Sequence, residues 1–176
     1  MRKLMILCGL LLLGAASVKA QENRGLEVSG DYQYVRINPG GGAPAINCQG
    51  GSGSAGLFLT ARLGVVGEFG ACRVTGVASG SSAHEMNYLF GPRAYFSSHG
   101  RIFPFVQVLA GGERFSASGS TAINSFAMAA GGGADVTLTR HVSLRAIQVD
   151  YLYTRFGGAS QNNVRLQSGI VWRFGR

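Results

Sequence analysis

The last strand-like stretch, residues 164–174, most constrains what this chain can fold into. Read with period two, Val164, Leu166, Ser168, Ile170, Trp172 and Phe174 share one face, while Arg165, Gln167, Gly169, Val171 and Arg173 share the other. That alternation describes a β-strand with one apolar and one polar, charged face. In a water-soluble sheet the apolar face packs inward. Here it runs out into two aromatics, Trp172 and Phe174, close to the end of the sequence. Apolar strands with terminal aromatics suit a closed barrel in a membrane, lipid-facing outside and polar inside, because a closed barrel leaves no backbone edge unpaired.

The start of the chain fits export. Arg2 and Lys3 precede the apolar run Leu4–Leu13, and Val18-Lys19-Ala20 has the size pattern of a cleavage site. Residues 1–20 therefore read as a secretory signal peptide, leaving 21–176 as one domain. The run is short for a membrane helix of about 20 residues. The formal charge is +8, and +5 without Arg2, Lys3 and Lys19. Beyond the signal every basic residue except the histidines is arginine, scattered singly through strand-like segments, which argues against nucleic acid as a partner.

Helical periodicity is nearly absent, and 28 glycines accompany frequent serine and threonine. The parse is all-β: eight strands, near 26–36, 56–59, 63–75, 87–96, 102–115, 125–138, 142–156 and 164–174. Long loops are expected at 38–54, 76–85, 116–124 and 157–163, with short turns between the other strands. Arg24, Arg62, Arg101 and Arg140 recur at intervals of 38, 39 and 39, each just before an odd-numbered strand. Long and short connections in alternation describe an eight-stranded antiparallel up-and-down transmembrane β-barrel with short periplasmic turns and longer outer loops. The aromatics Tyr32, Tyr34, Tyr88, Phe96, Phe103, Tyr151, Tyr153, Trp172 and Phe174 lie toward strand ends, as interfacial girdles do. The small run Ala129–Ala134 is assigned to a tightly curved wall that gives space to bulky interior neighbours.

Glu27, Asp31, Glu68, Arg93, Asp135, Asp150, Arg165 and Arg173 fall on the polar parity of their strands. An eight-stranded barrel is just wide enough to be filled by side chains, so these ions should pair inside it. The expected result is a salt-bridge network plugging the lumen; the rival reading is a narrow pore lined by charge. Arg73 and Arg145 fall on the apolar parity, so each either snorkels at the interface or is shifted by a bulge. Cys48 and Cys72 remain after cleavage, in an oxidising compartment. A turn centred near Ala61 gives hairpin partners whose numbers sum to about 122, and these two sum to 120. A disulfide clipping the first loop to the third strand is expected, the alternative being two free thiols.

Catalysis is not expected. His141-Val142-Ser143 has the spacing of a His-x-Ser pair, but it follows a short turn at the periplasmic rim; His84 and His99 sit in a loop and a turn. No phosphate loop, metal cluster or cofactor motif is present. A soluble lipocalin-like carrier would share the strand count with inverted polarity, and the interior charges oppose it.

Several stretches carry a family resemblance: Leu89-Phe90-Gly91-Pro92-Arg93, residues 104–112, Gln148-Val149-Asp150-Tyr151 and the closing Gly169-Ile170-Val171-Trp172-Arg173-Phe174. They resemble the bacterial outer-membrane β-barrel domain family, the small OmpA/OmpX/opacity-type barrels. The resemblance implies a Gram-negative outer-membrane location, a lipid surround and a terminal strand, marked by Trp172 and Phe174, that the barrel-insertion machinery reads. It also implies a surface or structural role, with an extracellular ligand reached through the loops. A monomer is expected, without the wall-binding domain of longer relatives.

Overall fold

A computed structural model describes residues 25–38, 45–75, 83–96, 100–117, 122–156 and 159–175. Eight strands follow in chain order: β1 (Gly25–Ile37), β2 (Ile46–Phe58), β3 (Leu63–Thr75), β4 (Ala83–Tyr95), β5 (Ile102–Ala117), β6 (Ile123–Thr137), β7 (Val142–Phe156) and β8 (Ala159–Phe174). Each pairs antiparallel with its neighbours, and β8 pairs back onto β1 to close the barrel. The seam runs from Leu26↔Phe174 to Arg36↔Val164, so no strand is left with a bare edge. Residues 1–20, expected to be a leader, lie outside the described residues.

The alternation read at 164–174 is the wall of this barrel. Arg165, Gln167, Val171 and Arg173 are buried, while Val164, Leu166, Trp172 and Phe174 face out. β1 follows the same rule, with Glu27, Ser29, Asp31 and Gln33 inside and Leu26, Val28 and Tyr32 outside.

Four loop expectations need correction, all in one direction. Residues 46–54, expected within the first loop, form most of β2, paired from Asn47↔Thr75 to Phe58↔Gly64. Similarly β4 begins at Ala83, β6 at Ile123 and β8 at Ala159. The strands at that rim are therefore separated only by residues 38–45, 76–82, 118–122 and 157–158. The physical reason is that Gly50, Gly51, Ser52, Gly53 and Ser54 carry no apolar alternation, yet their backbones are paired by β1 on one side and β3 on the other. Phe103 also departs from expectation: it packs inward against Phe58, Val66, Tyr95 and Phe105 rather than joining an outer girdle.

Charge marks the span of the wall. Among the described residues every acid is buried inside, and the exterior charges are arginines at the two rims. Arg62, Arg101 and Arg140 are exposed in the turns, while Arg36, Arg73, Arg114 and Arg155 are exposed near the opposite strand ends. Arg73 thus stays on the outer wall, where its chain can snorkel toward the headgroups. On β3 the two rings are eleven residues apart. At about 3.4 Å per residue and a tilt of about 40°, that is roughly 28 Å along the barrel axis. The uncharged band between them, with Phe69, Phe90, Val106, Val108, Ile147 and Leu166 exposed, matches the apolar belt of about 25 Å that an outer-membrane barrel presents to lipid.

Candidate functional site

The chemistry of this chain is concentrated in the lumen, in two connected tiers. In the tier nearer the turns, Glu27 on β1 gathers three guanidiniums: Arg93 Nη1 at 2.8 Å, Arg173 Nε at 3.1 Å and Arg145 Nη2 at 3.4 Å. Asp135 on β6 receives Arg173 Nη2 at 2.5 Å and Arg145 Nε at 3.1 Å. The Tyr95 hydroxyl sits between the two acids, 2.8 Å from Glu27 Oε2 and 2.9 Å from Asp135 Oδ2, and accepts from Arg173 Nη2 at 3.0 Å. Asp31 is bonded by Ser29 Oγ at 2.6 Å and lies 3.5 Å from Arg145. Aromatic faces support the cations: Arg93 and Arg145 stack on Phe105 at 4.7 and 5.0 Å, and Arg173 on Tyr95 at 5.2 Å.

The second tier centres on Arg165 of β8, which donates to Glu68 on β3 at 2.5 Å and Asp150 on β7 at 2.7 Å. Gln107 joins the tiers, accepting from Arg93 at 2.6 and 2.9 Å and donating to Asp150 at 3.2 Å. Space for these groups comes from the glycine run of β6. A Cβ on Gly131 would stand 2.5 Å from Asp150 Oδ1, and one on Gly133 would be 3.0 Å from the Phe105 ring.

The structure brings together all eight charges singled out from parity, and adds Arg145. That residue is fully buried because β7 carries a bulge: Ala146 and Ile147 both face out, and the pairing shifts between Arg145 and Gln148. One extra residue lets odd-numbered Arg145 and even-numbered Asp150 share the interior. Two further acids, Glu85 and Glu113, are buried toward the loop end. Strict alternation through His84, Met86 and Tyr88 could have exposed Glu85, but β4 begins earlier than its composition suggests.

The loop end of the lumen also holds an apolar cluster. Val35, Ile37, Val74, Leu109, Ala127 and Leu152 cluster there with Cys48 and Cys72. The two cysteines form a disulfide between β2 and β3, with Cα atoms 5.5 Å apart on diagonal register positions. Cys48, expected in a loop, is thus a buried strand residue. Trp172 and Phe174 lie on the outer wall of β8 near the turn rim. His84 is exposed on β4 and His141 in a turn, whereas Ser143 points into the lumen and accepts from Arg173 Nη1 at 2.6 Å. His99 lies outside the described residues. The His141/Ser143 spacing therefore puts the two side chains in different environments.

Solved structures of the same architecture are found, at identities that speak to fold alone. Neisserial surface protein A matches with a TM-score of 0.65 at 16% identity, covering 85% of this chain and 97% of that one. The attachment invasion locus protein Ail of Yersinia pestis gives 0.59 at 17%, over 86% and 99%. The N-terminal barrel domain of Pseudomonas aeruginosa OprF gives 0.55 at 13%, over 88% and 100%. Among curated proteins none matches the chain in sequence. The family model described as outer membrane protein beta-barrel domain matches residues 6–174, nearly the whole length. With its closed eight-stranded barrel and charge-free belt, the chain belongs to that family, and its place is the bacterial outer membrane.

Proposed function

We propose that this barrel is a sealed, non-enzymatic surface protein: a monomer whose lumen conducts nothing and whose outer rim makes its contacts. The observation that carries the reading is the lattice of buried ion pairs from Glu27 through Asp135, Gln107 and Asp150 to Glu68, spanning strands on opposite sides of the lumen. Removing either partner of a buried pair costs about 3–5 kcal/mol, so thermal opening of a path through several of them is strongly disfavoured. Residues 1–20 act as a leader removed on export, and the β8 face bearing Trp172 and Phe174 presents the chain to the insertion machinery.

Surface binding draws support from a relative, since Ail of Yersinia pestis has been crystallised in complex with a heparin analogue, sucrose octasulfate. The exposed arginines Arg36, Arg73, Arg114 and Arg155 near the loop rim give this chain basic groups that a polyanion would meet. The test is planar-bilayer conductance of the purified barrel. Silence from the natural protein, with steps appearing in an Arg165→Ala/Glu68→Ala variant, is the expected result; steady channels in the natural protein would replace the sealed barrel with a narrow pore.

A further inference from the structure

Seven acids and four arginines are buried in the lumen among the described residues. Five of the acids are engaged by the four arginines. Glu85 and Glu113 differ. They are diagonal neighbours across the β4–β5 pair, where Glu85 faces Phe115 and Glu113 faces Asn87. Both are at most 2% exposed, and each retains a buried oxygen, Glu85 Oε1 and Glu113 Oε2, with no hydrogen-bond partner. These carboxylates line a cavity of about 280 Å³ whose remaining walls include Ile37, Ile46, Phe115 and Ile123, with Gln161 as its other polar residue. Two acids side by side in an apolar wall without ion-pair partners are costly to hold as anions; a proton on one of them or a bound cation relieves that cost, and a cation engages both.

The wall chemistry identifies the cation. Calcium asks for six to eight oxygen ligands and magnesium for a near-octahedral shell. Two carboxylates and one amide among aliphatic and aromatic side chains do not supply that. The neighbouring sulfurs of Cys48 and Cys72 lie within 4.8 Å of a Glu85 oxygen but are bonded to each other, so they offer no thiolate to a soft metal. An ammonium head on a short hydrocarbon body fits both halves: its N–H groups donate to Glu85 and Glu113, and its carbons lie against Ile37, Ile46, Phe115 and Ile123. We propose that the loop end of the lumen is a binding site for a small organic ammonium ion, held between Glu85 and Glu113.

The inference does not depend on the lumen being sealed, because the cavity lies at its loop end; conductance reports on the seal and ligand titration on the site. The experiment is amide chemical-shift titration of the folded protein in detergent micelles with n-butylammonium chloride. Parallel titrations use n-butanol and calcium chloride. Saturable shifts centred on Glu85 and Glu113 and limited to the strand ends that line the cavity, seen with the ammonium alone, are the expected outcome. Glu85→Gln and Glu113→Gln should each weaken binding by about tenfold or more, as loss of one charge-assisted bond implies. Both variants must retain the heat-modifiable gel mobility of the folded barrel. Equal response to n-butanol, preference for calcium, absence of saturation, or unchanged affinity in the two folded variants would each overturn the proposal.

Discussion

Arg173, on the last strand, and Glu27, on the first, are register partners across the seam that closes the barrel, and Arg173 Nε donates to Glu27 Oε2 at 3.1 Å. The same carboxylate also receives Arg93 and Arg145. Closure of the sheet and neutralisation of its interior are thus one event at this point. Glu27→Gln should destabilise the folded barrel by about 3–5 kcal/mol, since three cations lose their shared anion. Asp31→Asn should cost less, because Asp31 lies 3.5 Å from the single guanidinium of Arg145. Urea unfolding in detergent, followed by gel mobility, gives the ordering; equal losses would mean that the two acids are interchangeable.

Sidedness is tested at Leu166, which points outward from β8 between the two arginine rings. Leu166→Arg should lower stability by about 2–4 kcal/mol in vesicles, the range for arginine near the membrane midplane. Gln49→Arg, on the outer wall of β2 beside Arg73 in the ladder, should cost at most about 1 kcal/mol because that depth already holds arginine. Refolding titrations into lipid vesicles separate the two. A greater penalty at Gln49 would reverse the assignment of the apolar belt.

Packing inside the wall makes a glycine-specific prediction. A side chain at Gly131 meets the Val149 carbonyl oxygen and Asp150, whereas one at Gly67 finds Phe90 at 3.9 Å on the lipid face. Gly131→Val should destabilise by about 1–3 kcal/mol through overpacking, and Gly67→Val should be tolerated. Thermal transitions of the two variants, monitored by near-ultraviolet circular dichroism, decide the matter.

The disulfide joins residues 24 apart in sequence. Chain-entropy arguments assign such a loop about 3 kcal/mol. Here β2 and β3 are already paired along thirteen-residue strands, so the loss on Cys48→Ala/Cys72→Ala should fall toward the low end, about 1–2 kcal/mol, with the barrel still closed. Denaturant midpoints with and without reductant measure it. Failure of the variant to fold would assign the bond a role in assembly.

Alternation alone determined much of this protein. Wherever apolar residues take every second place, as in 26–36 or 164–174, the period fixes which side chains meet lipid and which meet each other, and the eight buried charges follow from parity. The sequence also carried the hairpin at Ala61, because polar turn residues interrupt two strands. Where apolar residues are missing, the strand is invisible: 46–54 becomes β2 only because neighbouring backbones on both sides complete its hydrogen bonds. Tertiary structure likewise decided Arg145, since a single inserted residue between Arg145 and Gln148 exchanges inside for outside, and no local composition records such a slip. It also decided Glu85 and Glu113, whose shared cavity exists only once β4 and β5 lie side by side. A side chain's facing is a local property of the strand, whereas its partners are set by register between strands distant in sequence.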